Sequence, residues 1–133
     1  MKKLFFLFAF IGCLLVSCRP IHVDRATETI TGMVTDEKGI PLQGILVVKY
    51  YDQDLQEKAR AFPDVYTNTE GEYILKDHSR YTANVKTKDF YLVATDTAGI
   101  YQRQIVKATM TYDFRPGDSD AVGSAEVNIV MVK

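Results

Sequence analysis

The sequence predicts an all-β domain, a seven-stranded two-layer sandwich occupying residues 28–133. Three observations predict it. Short runs rich in Val, Ile, Tyr and Thr follow one another from residue 28, punctuated by turn residues every roughly 10 to 15 positions. No stretch sustains apolar residues at i, i+3, i+4 and i+7 between helix caps. Seven strands in a domain of roughly 100 residues match two packed antiparallel layers.

The first strand is expected at 28–35, with Ile30, Gly32 and Val34 on one face and Thr29, Thr31 and Met33 on the other. Asp36-Glu37-Lys38-Gly39 then reads as a turn, and Pro41 as the entry to the next strand, where its missing N–H is not needed. Ile45-Leu46-Val47-Val48 is continuously apolar, as in a central strand covered on both faces. Residues 52–60 are charged and read as an exposed crossover loop, the one place where a short helix is an alternative. Val65-Tyr66-Thr67 and Tyr73-Ile74-Leu75 flank Asn68-Thr69-Glu70-Gly71, which predicts a tight hairpin. Residues 90–95 form a further strand closed by Asp96-Thr97-Ala98-Gly99, and 101–110 another, with Ile105 and Val106 as its buried part. The last strand, 125–132, puts Ala125, Val127, Ile129 and Met131 on one apolar face.

Composition excludes some functions. The 133 residues carry 16 basic and 17 acidic side chains, without the concentrated basic face that nucleic-acid binding needs. Length predicts one domain, and 47% hydrophobic with 25% charged residues predicts an ordered one. The first 17 residues differ from the rest: they hold four of the seven Phe, Lys2 and Lys3, and no acid. The remaining 116 carry 14 basic against 17 acidic side chains, a net charge of −3.

Met1-Lys2-Lys3 precedes an uncharged apolar run at 4–16. Spanning a bilayer takes roughly 20 helical residues, whereas a secretory apolar core needs about 7 to 15, so the run predicts a signal peptide. It ends in Leu15-Val16-Ser17-Cys18, which resembles the lipobox of bacterial lipoproteins. The resemblance implies cleavage after Ser17 and acylation of Cys18, giving a signal peptide at 1–17, a lipidated tether at 18–27 and the domain at 28–133. Two or three acyl chains anchor firmly at about 0.8 kcal/mol per buried CH₂. Cys13 would leave with the signal peptide and Cys18 would be acylated, so no thiol would remain for a disulfide, a metal or catalysis. Arg19 follows the Cys where enterobacterial inner-membrane lipoproteins carry Asp, which implies the outer membrane. The tether holds only Asp24, where surface-exported lipoproteins of Bacteroidetes carry a run of acids. The periplasmic face is therefore favoured.

Gly32-Met33-Val34-Thr35-Asp36, then Gly39-Ile40-Pro41-Leu42-Gln43-Gly44-Ile45, then Thr67-Asn68-Thr69-Glu70-Gly71-Glu72-Tyr73 resemble the signature of carboxypeptidase-regulatory-like domains, whose fold is transthyretin-like (prealbumin-like). The match covers residues 30–75 and is looser from Ala94 onward. In this pattern Leu42 and Ile45 enter the core and Tyr73 packs across from Ile30 or Val34. The lipobox, the single domain and the closing Glu126-Val127-Asn128-Ile129 are also similar to small Bacteroidetes lipoproteins named for lying near radical SAM genes.

Motifs for chemistry are sparse. A hydrolase of this fold, hydroxyisourate hydrolase, ends in Tyr-Arg-Gly-Ser, whereas this chain ends Ile129-Val130-Met131-Val132-Lys133. There is no G-x-S-x-G, H-E-x-x-H or phosphate loop. His22 lies in the tether and His78 is expected in a polar turn. Asp113, Asp118, Ser119 and Asp120 gather oxygen donors around Arg115-Pro116-Gly117, but match no EF-hand spacing and read as a solvated turn. Tyr51 and Tyr101 are candidate glycan contacts in a stacking platform with Tyr50 and Tyr91, and Asp96-Thr97-Ala98 resembles the Bacteroidetes O-glycosylation acceptor, with Thr97 as the site. The expectation is a non-enzymatic lipoprotein without cofactor or metal, bound to the membrane by its lipid and acting as a scaffold for an envelope protein partner. The alternative is a surface glycan-binding or adhesive protein.

Overall fold

The computed structural model describes residues 25–59, 62–81, 85–114 and 120–133. Period-two burial dictates its elements. Eight strands occur among the described residues: β1 Arg25–Asp36, β2 Ile45–Tyr50, β3 Val65–Tyr66, β4 Glu72–Arg80, β5 Thr87–Asp96, β6 Gln104–Asp113, β7 Ala121–Glu126 and β8 Ile129–Met131. No helix is present among them, and residues 51–58 form turns held by Asp52, which accepts from Gln56 N at 3.1 Å and Glu57 N at 2.8 Å.

The fold is all-β. Hydrogen bonding links seven strands in the order β3-β2-β5-β6-β7-β1-β4, with β8 beside β1. The two ends of that path, β3 and β4, are consecutive in sequence and joined by the turn at 67–71, so the sheet comes nearly full circle. Inside lie Ile30, Ile45, Val47, Leu75, Phe90, Leu92, Met110, Ile129 and Met131, each at most 2% exposed. Each such large apolar side chain contributes about 1.5–3 kcal/mol by leaving water.

The strand at 28–35 forms with the expected faces, Ile30 and Val34 inward, but begins at Arg25. Arg25, Ala26 and Thr27 are thus strand and not tether, because Ala26 is wholly buried between Ser79 of β4 and Ala121 of β7. The turn at 68–71 forms, with Gly71 at φ 74°. Its flanking strands do not pair as a hairpin: β3 pairs β2, and β4 pairs β1. A Cβ on Gly71 would lie 2.6 Å from the Val34 carbonyl, so this crossing requires glycine.

The motif residues meet at that crossing. Thr67 Oγ1 accepts from Ile45 N at 3.0 Å and donates to Leu42 O at 2.6 Å, while Gly44 N donates to Thr67 O at 3.0 Å. Tyr73 stands opposite Gly32, and its hydroxyl donates to Val127 O at 2.6 Å. Gly32 leaves room for that contact, since a Cβ there would sit 1.8 Å from the same oxygen. In β6 the inward phase is Val106, Ala108, Met110 and Tyr112; Ile105, expected inside, is 46% exposed because it lies on the other face. The expected last strand is split. β7 and β8 both run parallel to β1, with a jog where Val127 N donates to Thr31 O at 2.8 Å. Val127, Ile129 and Met131 are buried as expected.

Candidate functional site

The inward phase of β1 continues backward from Ile30 to Glu28, and that of β2 runs forward from Val47 to Lys49. Period two therefore carries two charged residues into the interior. Glu28 is 1% and Lys49 3% exposed. Lys49 Nζ donates to Glu28 Oε2 at 2.6 Å, Ser79 Oγ donates to Oε1 at 2.5 Å, and the Tyr112 hydroxyl donates to the same Oε1. The rings of Phe62, Tyr51 and Phe90 lie 4.1, 5.0 and 5.3 Å from the ammonium, a cation–π cage. Five elements meet at this cluster: β1, β2, β4, β5 and β6.

Burial pushes the Glu28 carboxyl up, but hydrogen bonds from Lys49, Ser79 and Tyr112, with the Lys49 charge, outweigh it and hold the carboxyl below its ordinary value. Burial pulls the Lys49 ammonium below its usual range against the opposing pull of Glu28, and the nearby charge of Lys88 adds to the lowering. Burial and then Glu28 push the Tyr112 and Tyr51 phenols up. No buried side-chain polar atom among the described residues lacks a partner. The space between Lys49, Tyr51, Phe90 and Tyr112 admits no water. The cluster is thus closed and fully paired.

Above it the surface opens. A groove of about 640 Å³ is lined by Arg25, Tyr51, Glu57, His78, Ser79, Arg80 and Lys88. Ser79 and Tyr51 belong to both levels, so the cluster forms the groove's floor. Lys88 Nζ lies 4.9 Å from the Tyr51 ring centre.

The sequence-predicted residues are scattered. Cys18 and His22, with the expected signal peptide and the expected tether up to residue 24, lie outside the described residues, as do Asp118 and Ser119 of the expected acidic turn. Tyr51 follows β2 at the groove, beside the Tyr91 end of β5, since Tyr50 pairs Tyr91. Tyr101 lies past the other end, beyond Asp96, with Lys133 Nζ 5.7 Å from its ring centre. The five steps from Tyr91 to Asp96 already span about 17 Å, so Tyr51 and Tyr101 share no platform. Thr97 is exposed in the turn, where Asp96 accepts from the amides of Ala98, Ile100 and Tyr101 at 3.0, 2.9 and 3.1 Å. His78 is in β4 and not in a turn, with its Nδ1 3.2 Å from Thr27 Oγ1. Among the described residues no three His, Cys, Asp or Glu side chains gather as a metal site.

No family model and no curated protein matches the chain. Solved structures of similar fold do exist. Catechol 1,2-dioxygenase of Acinetobacter radioresistens aligns with a TM-score of 0.52 at 12% identity over 84% of this chain and 52% of that one. Catechol 1,2-dioxygenase of Acinetobacter sp. ADP1 gives 0.52 at 8% identity over 89% and 55%. Hydroxyquinol 1,2-dioxygenase of Pseudomonas putida DLL-E4 gives 0.51 at 11% over 80% and 56%. The chain spans about half the length of these dioxygenases, and at such identities the likeness shows the fold alone. It nevertheless corrects the expectation of a non-enzymatic protein. That expectation rested on missing hydrolase motifs, and this arrangement of strands is one that enzymes carry.

Proposed function

We propose that the chain is a lipid-anchored lipoprotein of the cell envelope, acylated at Cys18, whose transthyretin-like sandwich serves as a protein-interaction scaffold on the periplasmic side of the outer membrane. The lipobox supports the anchor. The unpaired edge of β4 carries the interaction reading: its nine residues hydrogen-bond to β1 on one side, and no strand among the described residues pairs the other. An exposed edge offers main-chain donors and acceptors to an added strand. Beside it, a groove of about 590 Å³ runs past Met33 and Ile74, and Ile74 is 61% exposed. Glu72 and Glu126 also line that groove. The partner that fits is an extended segment of an envelope protein with apolar side chains for Met33 and Ile74 and basic ones for the two acids.

A photo-reactive phenylalanine analogue at Ile74, in the full chain expressed in its own cells, tests this. A discrete cross-linked envelope protein is expected from position 74 and not from Lys107 on the outer face of β6. No product from 74, or the same products from both positions, refutes the scaffold reading.

A further inference from the structure

The groove above the buried cluster has a charge imbalance that the interior does not need. Arg25 and Arg80 are direct cross-strand neighbours in the β1–β4 register, and Lys88 completes the wall from β5. Like charges directly opposite on adjacent strands destabilise a sheet unless something neutralises them. Two exposed lysines elsewhere have carboxylates in reach, Lys58 with Asp64 at 2.8 Å and Lys107 with Asp89 at 3.3 Å. Among the described residues none stands within 4 Å of Arg25, Arg80 or Lys88, and the lining holds one acid, Glu57. Asp77 lies near enough to act on Tyr51 but is not part of the wall. Lys49 below adds no free charge because Glu28 neutralises it. Three cations against one acid, in a chain whose residues 18–133 sum to −3, are a local reversal of sign. Two guanidinium forks, an ammonium and the Tyr51 hydroxyl suit the oxygens of a phosphate.

We propose that this groove is an oxyanion site that takes a phosphate group, and that the phosphate is that of an anionic phospholipid headgroup. The choice of source rests on the lipid anchor proposed above. Six residues stand between Cys18 and Arg25, and the seven chain steps tie the first strand to within about 25 Å of the bilayer surface. The groove lies at the end of the domain where that strand begins. Docked on headgroups, it would fix the orientation of the domain and keep the far pole, with the turns at 36–40 and 96–100, turned away from the membrane.

The test uses residues 18–133 with Cys18→Ala, the mature chain that the lipobox implies, so that neither the apolar run at 4–16 nor an acyl chain contributes. Co-sedimentation with vesicles containing phosphatidylglycerol is compared with vesicles of phosphatidylcholine alone, and inorganic phosphate is titrated against backbone amide NMR shifts. Binding to the anionic vesicles is expected, with competition by phosphate and phosphate-induced shifts around Ser79 and Lys88. Arg25→Gln with Arg80→Gln should weaken it by roughly fivefold per charge removed. Lys38→Gln with Arg103→Gln, the same charge change at the far pole, should leave it unchanged. Equal weakening by both pairs, or no response to vesicles or phosphate, overturns the site. Phosphate shifts without vesicle binding uphold the oxyanion site and overturn the headgroup as its source. Because the protein tested carries no lipid, neither result depends on whether Cys18 is acylated in cells.

Discussion

Lys49→Met removes the ammonium from the interior and leaves the Glu28 carboxylate, 1% exposed, with two hydroxyl donors and no counter-charge. Removing one partner of a buried pair costs about 3–5 kcal/mol, a large share of the roughly 5–15 kcal/mol that holds a domain together. Replacing both partners is different. In Glu28→Met with Lys49→Met no charge remains to be desolvated, and apolar replacement of a buried pair is often neutral. What remains is the loss of an acceptor for Ser79 and Tyr112, about 1–3 kcal/mol for each hydroxyl left unpaired. Ser79 has a second acceptor in Arg80 O at 3.4 Å and Tyr112 is 9% exposed, which keeps both near the low end. The double variant should therefore lose about 2 kcal/mol, less than Lys49→Met alone. Urea midpoints of the four proteins at neutral pH give the coupling directly. Additivity within about 0.5 kcal/mol would show independent sites, and a Lys49→Met cost below about 1 kcal/mol would show a pair no better than a solvated one. Either refutes the reasoning.

The same carboxylate predicts the response to acid. Its value is held below the ordinary 4.5, so the unfolded chain takes up the proton first. The stability it contributes is complete above that value and lost as pH falls through the lower folded one; Glu28→Gln should flatten this part of a urea-midpoint profile, and an unchanged profile refutes the assignment. Gly32→Ala would drive a Cβ to 1.8 Å from Val127 O and should cost over 4 kcal/mol or prevent folding, while Tyr73→Phe, which only unpairs that oxygen, should cost about 1–3 kcal/mol in the same unfolding assay. Asp96→Ala leaves three turn amides without their acceptor, and hydrogen exchange at Ile100 and Tyr101 should accelerate while that of β1 amides does not.

Strand content was legible because period two and turn chemistry are local. Ile30 and Val34, Ile129 and Met131, and the turn glycines 39 and 99 stand where alternation and positive φ put them. Pairing was less legible. The 68–71 turn resembles a hairpin loop, yet the strands on either side belong to opposite ends of the sheet, a choice made by long-range contacts at Thr67 and Gly71. In β6 the two apolar neighbours Ile105 and Val106 hid the phase that Met110 and Tyr112 fix. The buried cluster left a trace that charge alone obscured: Glu28 and Lys49 stand in phase with Ile30 and Val47, and alternation extended by one step puts both inside. Arg25 and Arg80 are 55 residues apart in sequence, and nothing local foretells that β1 and β4 set them side by side. The tyrosines failed as a platform for the same reason, since Tyr51 and Tyr101 are brought to different ends by an antiparallel pairing that composition does not encode.

The anchor at Cys18 is the claim on which the envelope reading turns. Mass spectrometry of the N-terminal peptide of the protein extracted by detergent from the membrane fraction of its own cells tests it most directly. A peptide that begins at Cys18 and carries a diacylglyceryl group is the expected result, with Cys18→Ala leaving the protein unacylated. An N-terminus at Met1, or one that retains an unmodified Cys18, would contradict it.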